Sequence, residues 1–99
     1  MKNEYFTRLT VPNGTVEILD GEYAFREEIV EVCLPESIRK IGRFAFLECV
    51  NLKKINLPKN LTEIGEGAFC NCLSLPTPNP CNAISVGAYA FHHTKGGKP

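Results

Sequence analysis

The sequence has no excess charge of either sign and no long apolar run. Lys and Arg together number 11, as do Asp and Glu, so the formal net charge is zero. Nucleic-acid binders rely on basic side chains that neutralise phosphates, and the balanced charge therefore argues against that class. No apolar stretch approaches the ~18 residues that a membrane-spanning helix requires, so the sequence also predicts no contact with a membrane.

A secretory signal and an even set of cysteines are absent as well. The first ten residues, MKNEYFTRLT, contain no apolar segment of the signal type. We therefore expect a cytoplasmic location if this terminus is native, and a secreted or cell-surface one if the chain is a fragment. Disulfide scaffolds more often have an even number of cysteines, whereas this chain has 5. Free thiols are the expectation.

Motifs of catalysis and cofactor binding are missing: the chain has no glycine loop for phosphate, no serine elbow and no paired carboxylates. The sequence therefore predicts neither an enzyme nor a cofactor. Cys33 would need a nearby histidine to act as a nucleophile, but His92 and His93 are distant in the chain. Zinc could in principle be held by this histidine pair with Cys70, Cys72 and Cys81, as an alternative, although the spacing is poor and we expect no metal.

What the sequence does contain is a repeat with a period of 23 residues. Three apolar residues precede a proline in each copy, and every member is displaced by 23: Phe6, Leu9, Val11 and Pro12; Ile29, Val32, Leu34 and Pro35; Leu52, Ile55, Leu57 and Pro58. A fixed period in the 20s is typical of a solenoid with one short strand per turn. Alternating apolar residues predict the strand, and the proline ends it.

A phenylalanine after alanine recurs once per turn and predicts a buried aromatic column of Phe25, Phe46, Phe69 and Phe91. Cys49 and Cys72, also 23 residues apart, are expected as small core residues. Leu57 and Phe69 should be almost fully buried. The distance from Ile18 to Phe25 is two residues longer than in the next copy, which predicts a local bulge near Asp20 and Gly21.

The last copy is degenerate because Pro76, Pro78 and Pro80 remove strand donors. We expect one domain over residues 1–91, with repeats at about 6–28, 29–51 and 52–74 and a degenerate fourth at 75–91. Residues 92–99 are predicted to be a mobile C-terminal tail.

The stretch Cys49-x-x-Leu52-x-x-Ile55-x-Leu57-Pro58-x-x-Leu61-x-x-Ile64-Gly65-x-x-Ala68-Phe69-x-x-Cys72 resembles the BspA-like class of leucine-rich repeats. The resemblance covers residues 4–91 and is strongest in 29–75. It implies a right-handed solenoid with a parallel strand column on the concave side and irregular or short helical turns on the convex side. It also implies binding rather than chemistry, since family members are best known as bacterial surface proteins that bind host or matrix proteins.

The outward positions of the concave strands are the candidate partner-binding residues: Arg8, Thr10, Glu31, Cys33, Lys54 and Asn56. Neighbouring strands lie ~4.8 Å apart, so these side chains should form one patch of mixed charge. We expect an unidentified protein partner on this face. The alternatives are a self-assembling structural module, joined through the open ends of the solenoid, and a fragment of a bacterial surface protein of the adhesin type.

Overall fold

In the part of the chain that the structure describes, seven short strands form two parallel sheets. A computed structural model of the chain describes residues 7–78 and 85–95; Phe6, Pro80 and Cys81 are outside these ranges. The strands are β1 (Thr7–Thr10), β2 (Glu17–Ile18), β3 (Ile29–Cys33), β4 (Lys40–Ile41), β5 (Lys54–Ile55), β6 (Glu63–Ile64) and β7 (Ser85–Val86). Sheet A has the order β1-β3-β5, and sheet B has the order β2-β4-β6-β7. The chain is therefore a β-solenoid with two strands per turn, where the sequence predicted one strand column.

The strand register follows the repeat of the sequence. Leu9 pairs with Val32 and Val32 with Ile55 in sheet A, each displaced by 23 residues. In sheet B, Ile18, Ile41 and Ile64 pair in the same way. Because equal positions of successive turns lie side by side, each apolar position becomes a column, and the columns bury one another between the sheets and the turns.

The aromatic column begins with Tyr23, and the prediction of Phe25 at this place is wrong. Three ring pairs stack, Tyr23 on Phe46 at 5.6 Å, Phe46 on Phe69 at 5.3 Å and Phe69 on Phe91 at 5.5 Å between centroids. Phe46 and Phe69 are completely buried, as predicted for Phe69, whereas Phe25 is 62% exposed. Offset stacking of this kind adds to the burial of aromatic surface.

The expected bulge near Asp20 and Gly21 is therefore absent. Ile18 pairs with Ile41, and each is followed five residues later by the aromatic residue of the column, Tyr23 or Phe46. The first turn has the same length as the second between these points. The Ala-Phe pair of the first copy, which suggested an insertion, lies beyond the column.

Leu57 is half-buried, which corrects the prediction of nearly full burial. Its equivalents in the preceding turns, Val11 and Leu34, are 3% and 5% exposed. In the part of the chain that the structure describes, sheet A ends at β5, so no strand of a following turn packs across Leu57. Ile55 is half-buried for the same reason.

The segments between strands are turns, and residues 7–78 and 85–95 contain no helix, so the predicted short helical turns are not supported. In the described residues, the segment after each strand of sheet B instead has two residues with positive φ, four positions apart: Gly21 and Phe25, Phe44 and Glu48, Gly67 and Asn71, and Tyr89 and His93. The left-handed region costs a non-glycine residue about 1–2 kcal/mol. In the first three turns, all six of these residues donate their backbone N–H to a carbonyl of the next turn, at 2.7–2.9 Å. These bonds offset the strain and join the turns along the segments that follow the strands of sheet B.

The last turn closes with residues that the sequence assigned to a tail. Pro76 forms an isolated parallel bridge with Lys95, whose backbone N–H donates to the Leu75 carbonyl at 2.8 Å. Thr94 is 5% exposed, and its hydroxyl lies 2.6 Å from that of Thr77. Residues 92–95 thus pack on the fourth turn, and 96–99 lie outside the described residues. Within the described ranges, the chain forms no helix long and apolar enough to cross a bilayer.

Candidate functional site

The six candidate residues lie together on the outer side of sheet A, which we call the strand face. The register places Arg8 beside Glu31 and Glu31 beside Lys54, while Thr10 lies beside Cys33. Asn56 follows β5 directly. A shallow groove of about 200 Å³ is lined by four of the six, together with Val32 and Ile55. The sequence repeat thus becomes a surface on which residues 23 positions apart are neighbours.

The charges on the strand face alternate from turn to turn. An Nη2 atom of Arg8 lies 3.4 Å from a carboxylate oxygen of Glu31. This carboxylate, followed by the thiol of Cys33, raises the pKa of the Arg8 guanidinium above its usual range. Lys54 continues the column but has no carboxylate within 4.0 Å among the described residues. An exposed pair of this type contributes little to stability, so the charges are available for recognition.

The amide of Asn56 is committed to the backbone of the preceding turn. Its Oδ1 atom accepts the N–H of Leu34 at 2.7 Å, and its Nδ2 atom donates to the carbonyl of Leu34 at 2.9 Å. This pair of bonds replaces the strand ladder just where β5 has ended. Asn56 therefore shapes the groove as part of its wall, and the ionic contacts of the face come from its neighbours.

The cysteines divide into exposed and buried types. Cys33 is partly exposed in the groove. Cys49 and Cys72 are completely buried, and each thiol donates to a carbonyl of the preceding turn, that of Tyr23 at 3.2 Å and that of Phe46 at 3.0 Å. Burial raises the pKa of Cys72 to about 12. These two thiols therefore satisfy the backbone of the aromatic column and stay protonated at neutral pH.

A second charged column lies on sheet B, and the sequence interpretation missed it. Lys40 lies 3.8 Å from Glu17 on one side and 3.8 Å from Glu63 on the other. The three residues are displaced by 23, so the repeat offset that located the strand face could also have located this column. Next to it, the carboxylate of Asp20 accepts the backbone N–H of Arg43 at 2.8 Å, which lowers the pKa of Asp20.

The histidines form a polar chain with the third turn. The Nδ1 atom of His93 lies 3.0 Å from the Oδ1 atom of Asn71, whose Nδ2 atom donates to Glu48 at 3.3 Å. The imidazole of His93 must therefore carry its proton on Nδ1. His92 stacks on His93 with 4.0 Å between ring centroids. No three His, Cys, Asp or Glu side chains of the described residues are grouped so that they could hold a metal, and Cys81 lies outside those residues.

Comparisons with known proteins agree with this architecture. A family model described as "BspA type Leucine rich repeat region" matches residues 1–97 in 6 copies. Among solved structures, a leucine-rich-repeat protein of T. pallidum is similar, with 26% identity and a TM-score of 0.74. The similarity covers 89% of this chain and 55% of that one, so the chain spans about half the length of its neighbour. No curated protein matches the sequence significantly.

Proposed function

The chain belongs to the BspA-type leucine-rich-repeat family, and we propose that it is a protein-interaction module that holds its partner on the strand face. Leucine-rich-repeat proteins generally mediate protein–protein interactions, and their fold is typically non-enzymatic. The observation that carries the proposal is the groove to which β3 and β5 contribute Glu31, Cys33, Lys54 and Asn56. A role within a longer bacterial surface protein would use the same face.

The strand face suits a protein partner for two physical reasons. Its side chains project from strands that are hydrogen-bonded to one another, so the backbone beneath them is already ordered before a partner binds. It also combines a cation, an anion, a thiol and the edge of an apolar column, which favours a mixed polar epitope over a polyanion. Charges at such a surface mainly set the partner's association rate and specificity.

The test is a paired charge reversal. We expect Glu31→Lys combined with Lys54→Glu to leave stability within about 0.5 kcal/mol, because both side chains are at least partly exposed. The same change should strongly reduce capture of the partner from the native lysate by the purified domain. The control is Glu27→Lys, which changes an exposed charge outside the strands of sheet A. If the control abolishes capture while the paired reversal has no effect, the strand face is not the binding surface.

Self-assembly through the solenoid ends is the second candidate, and a column of glycines argues against its simplest form. Gly42, Gly65 and Gly87 lie against the preceding turn so closely that a Cβ at Gly65 or Gly87 would be 2.7 or 2.4 Å from a backbone nitrogen. The first turn has Leu19 at this position, 57% exposed. A second copy stacked in register on the last turn would drive the Cβ of Leu19 into that backbone. Continuous head-to-tail stacking is therefore disfavoured.

A further inference from the structure

The groove on the strand face continues beyond the six candidate residues. A second depression, of about 580 Å³, shares Asn56 with the first and follows the chain past the end of β5. It is lined by Leu57, Pro58 and Lys59, with Glu36 on the side of the preceding turn. Together the two form one channel along the third turn, which we call the β5 channel. Because the two depressions follow one another along the chain, they suit an extended segment of a partner better than a small molecule.

The two walls of the β5 channel differ in charge. The wall from the third turn has Lys54 and Lys59, both exposed and both without a carboxylate within 4.0 Å in the described residues. The wall from the second turn has Glu31, which is paired with Arg8, and Glu36. In the charged column of sheet B, by contrast, Lys40 has a carboxylate on each side. The two lysines therefore provide the positive charge that a ligand of the channel would meet.

Between these lysines the floor of the β5 channel is apolar. Ile55 and Leu57 are half-buried there, while Val32 and Leu34, their equivalents in the second turn, are buried. Within residues 7–78 and 85–95, the two side chains thus have apolar surface that is only partly covered. A ligand that covers it gains about 25 cal/mol for each Å² removed from water.

We propose that the β5 channel binds an extended peptide segment with two carboxylates on either side of an apolar residue. One carboxylate lies beside Lys54 and the other beside Lys59, and the apolar side chain rests on Ile55 and Leu57. Glu36, on the wall from the second turn, repels the carboxylates of the segment. The acidic side chains of the segment therefore face the wall from the third turn, where the two lysines lie. This assignment rests on the proposed function and specifies the chemistry of the partner.

The experiment selects ligands from a random library of displayed peptides, each about ten residues long, on the immobilised full chain. We expect enriched sequences with two or more Asp or Glu separated by apolar residues. A representative peptide should bind at least ten-fold more weakly to Lys54→Glu and to Lys59→Glu. It should bind Lys53→Glu as well as wild type, because Lys53 has the same charge and lines a different depression with Leu73 and Lys95. Circular dichroism verifies that each variant is folded.

The possible outcomes separate this inference from the proposed function. Enrichment of neutral or basic peptides, no enrichment, or an equal effect of Lys53→Glu would each overturn the acidic-segment assignment. Such a result leaves the strand face as a binding surface if the paired reversal of Glu31 and Lys54 still abolishes capture from the lysate. Conversely, acidic enrichment that depends on Lys54 and Lys59 supports both.

Discussion

The start of the aromatic column can be tested by removing one ring at a time. Tyr23 stacks on Phe46 at 5.6 Å with 15° between the ring planes, whereas Phe25 is 62% exposed. A register based on the Ala-Phe pair of the sequence would require the opposite. The two registers therefore predict opposite results. In the register of the structure Tyr23→Ala is the more destabilising substitution, whereas in the Ala-Phe register Phe25→Ala would be. Each variant is the control of the other.

The magnitudes follow from burial. Deleting a completely buried aromatic ring costs about 3–5 kcal/mol. Tyr23 is half-buried at the end of the column, so we expect Tyr23→Ala to lower the free energy of unfolding by about 2 kcal/mol, including the loss of ring stacking. Phe25→Ala should change it by no more than about 0.5 kcal/mol, as is usual for exposed positions. Alanine keeps the β-carbon at the positive φ of Phe25, so the substitution isolates the ring from the backbone strain.

The assay is urea denaturation followed by far-ultraviolet circular dichroism, since the chain has no tryptophan. With a slope of about 1–3 kcal/mol per M urea, a loss of 2 kcal/mol moves the midpoint by about 1 M. We expect such a shift for Tyr23→Ala and almost none for Phe25→Ala. A larger loss for Phe25→Ala than for Tyr23→Ala would refute the register and restore the bulge in the first turn.

Two further predictions concern the end of the chain and the buried thiol. Truncation after Phe91 should lower the melting temperature by several degrees, because Thr94 and Lys95 are bonded to the fourth turn; an unchanged melting curve would mean that these contacts do not stabilise the fold. Burial raises the pKa of Cys72 to about 12, so its contribution is complete below the thiol's unfolded pKa of ~8.5 and is lost as pH rises towards 12. The stability difference between wild type and Cys72→Ala should therefore shrink from neutral to alkaline pH in denaturation experiments, and a constant difference would contradict the assignment.

The repeat period was sufficient to predict the solenoid, because stacking makes sequence offset equal to spatial neighbourhood. Val32 beside Ile55 and Glu31 beside Lys54 follow from the displacement of 23 residues alone. The same displacement therefore predicts that the six candidate residues share one face. Whether that face binds a partner stays a prediction.

The wrong register of the first turn arose because two alignments of the repeat were possible there. The Ala-Phe pair at residues 24 and 25 matched the later copies in letters, but the backbone bonds align Tyr23 with Phe46. The prediction chose Phe25 because the later copies have phenylalanine in the column. Tyrosine can fill the same stacked position, and Tyr23 has the matching sequence distance from Ile18. Counting from the paired isoleucines would have given the correct register.

Sheet B and the left-handed turns were beyond the sequence pattern for a different reason. The strands of sheet B are two residues long, which is too short to show an alternation of apolar and polar side chains. The positive φ values fall on Phe44, Glu48 and Tyr89 as well as on glycines, so residue type does not reveal them. In the first three turns these residues donate hydrogen bonds to the next turn, which are tertiary interactions.

Comparison of equivalent positions within the chain separates scaffold from candidate surface. The buried columns keep one chemical character, as in Ile18, Ile41 and Ile64, because each member packs on the next. The column of the strand face instead changes from Arg8 to Glu31 to Lys54, and no packing requirement explains that choice. Because charges of opposite sign alternate along the column, Arg8 and Glu31 pair with each other. Lys54, at the end of the column, is therefore the charge that an external carboxylate would stabilise most. A partner should therefore be sought at the third turn.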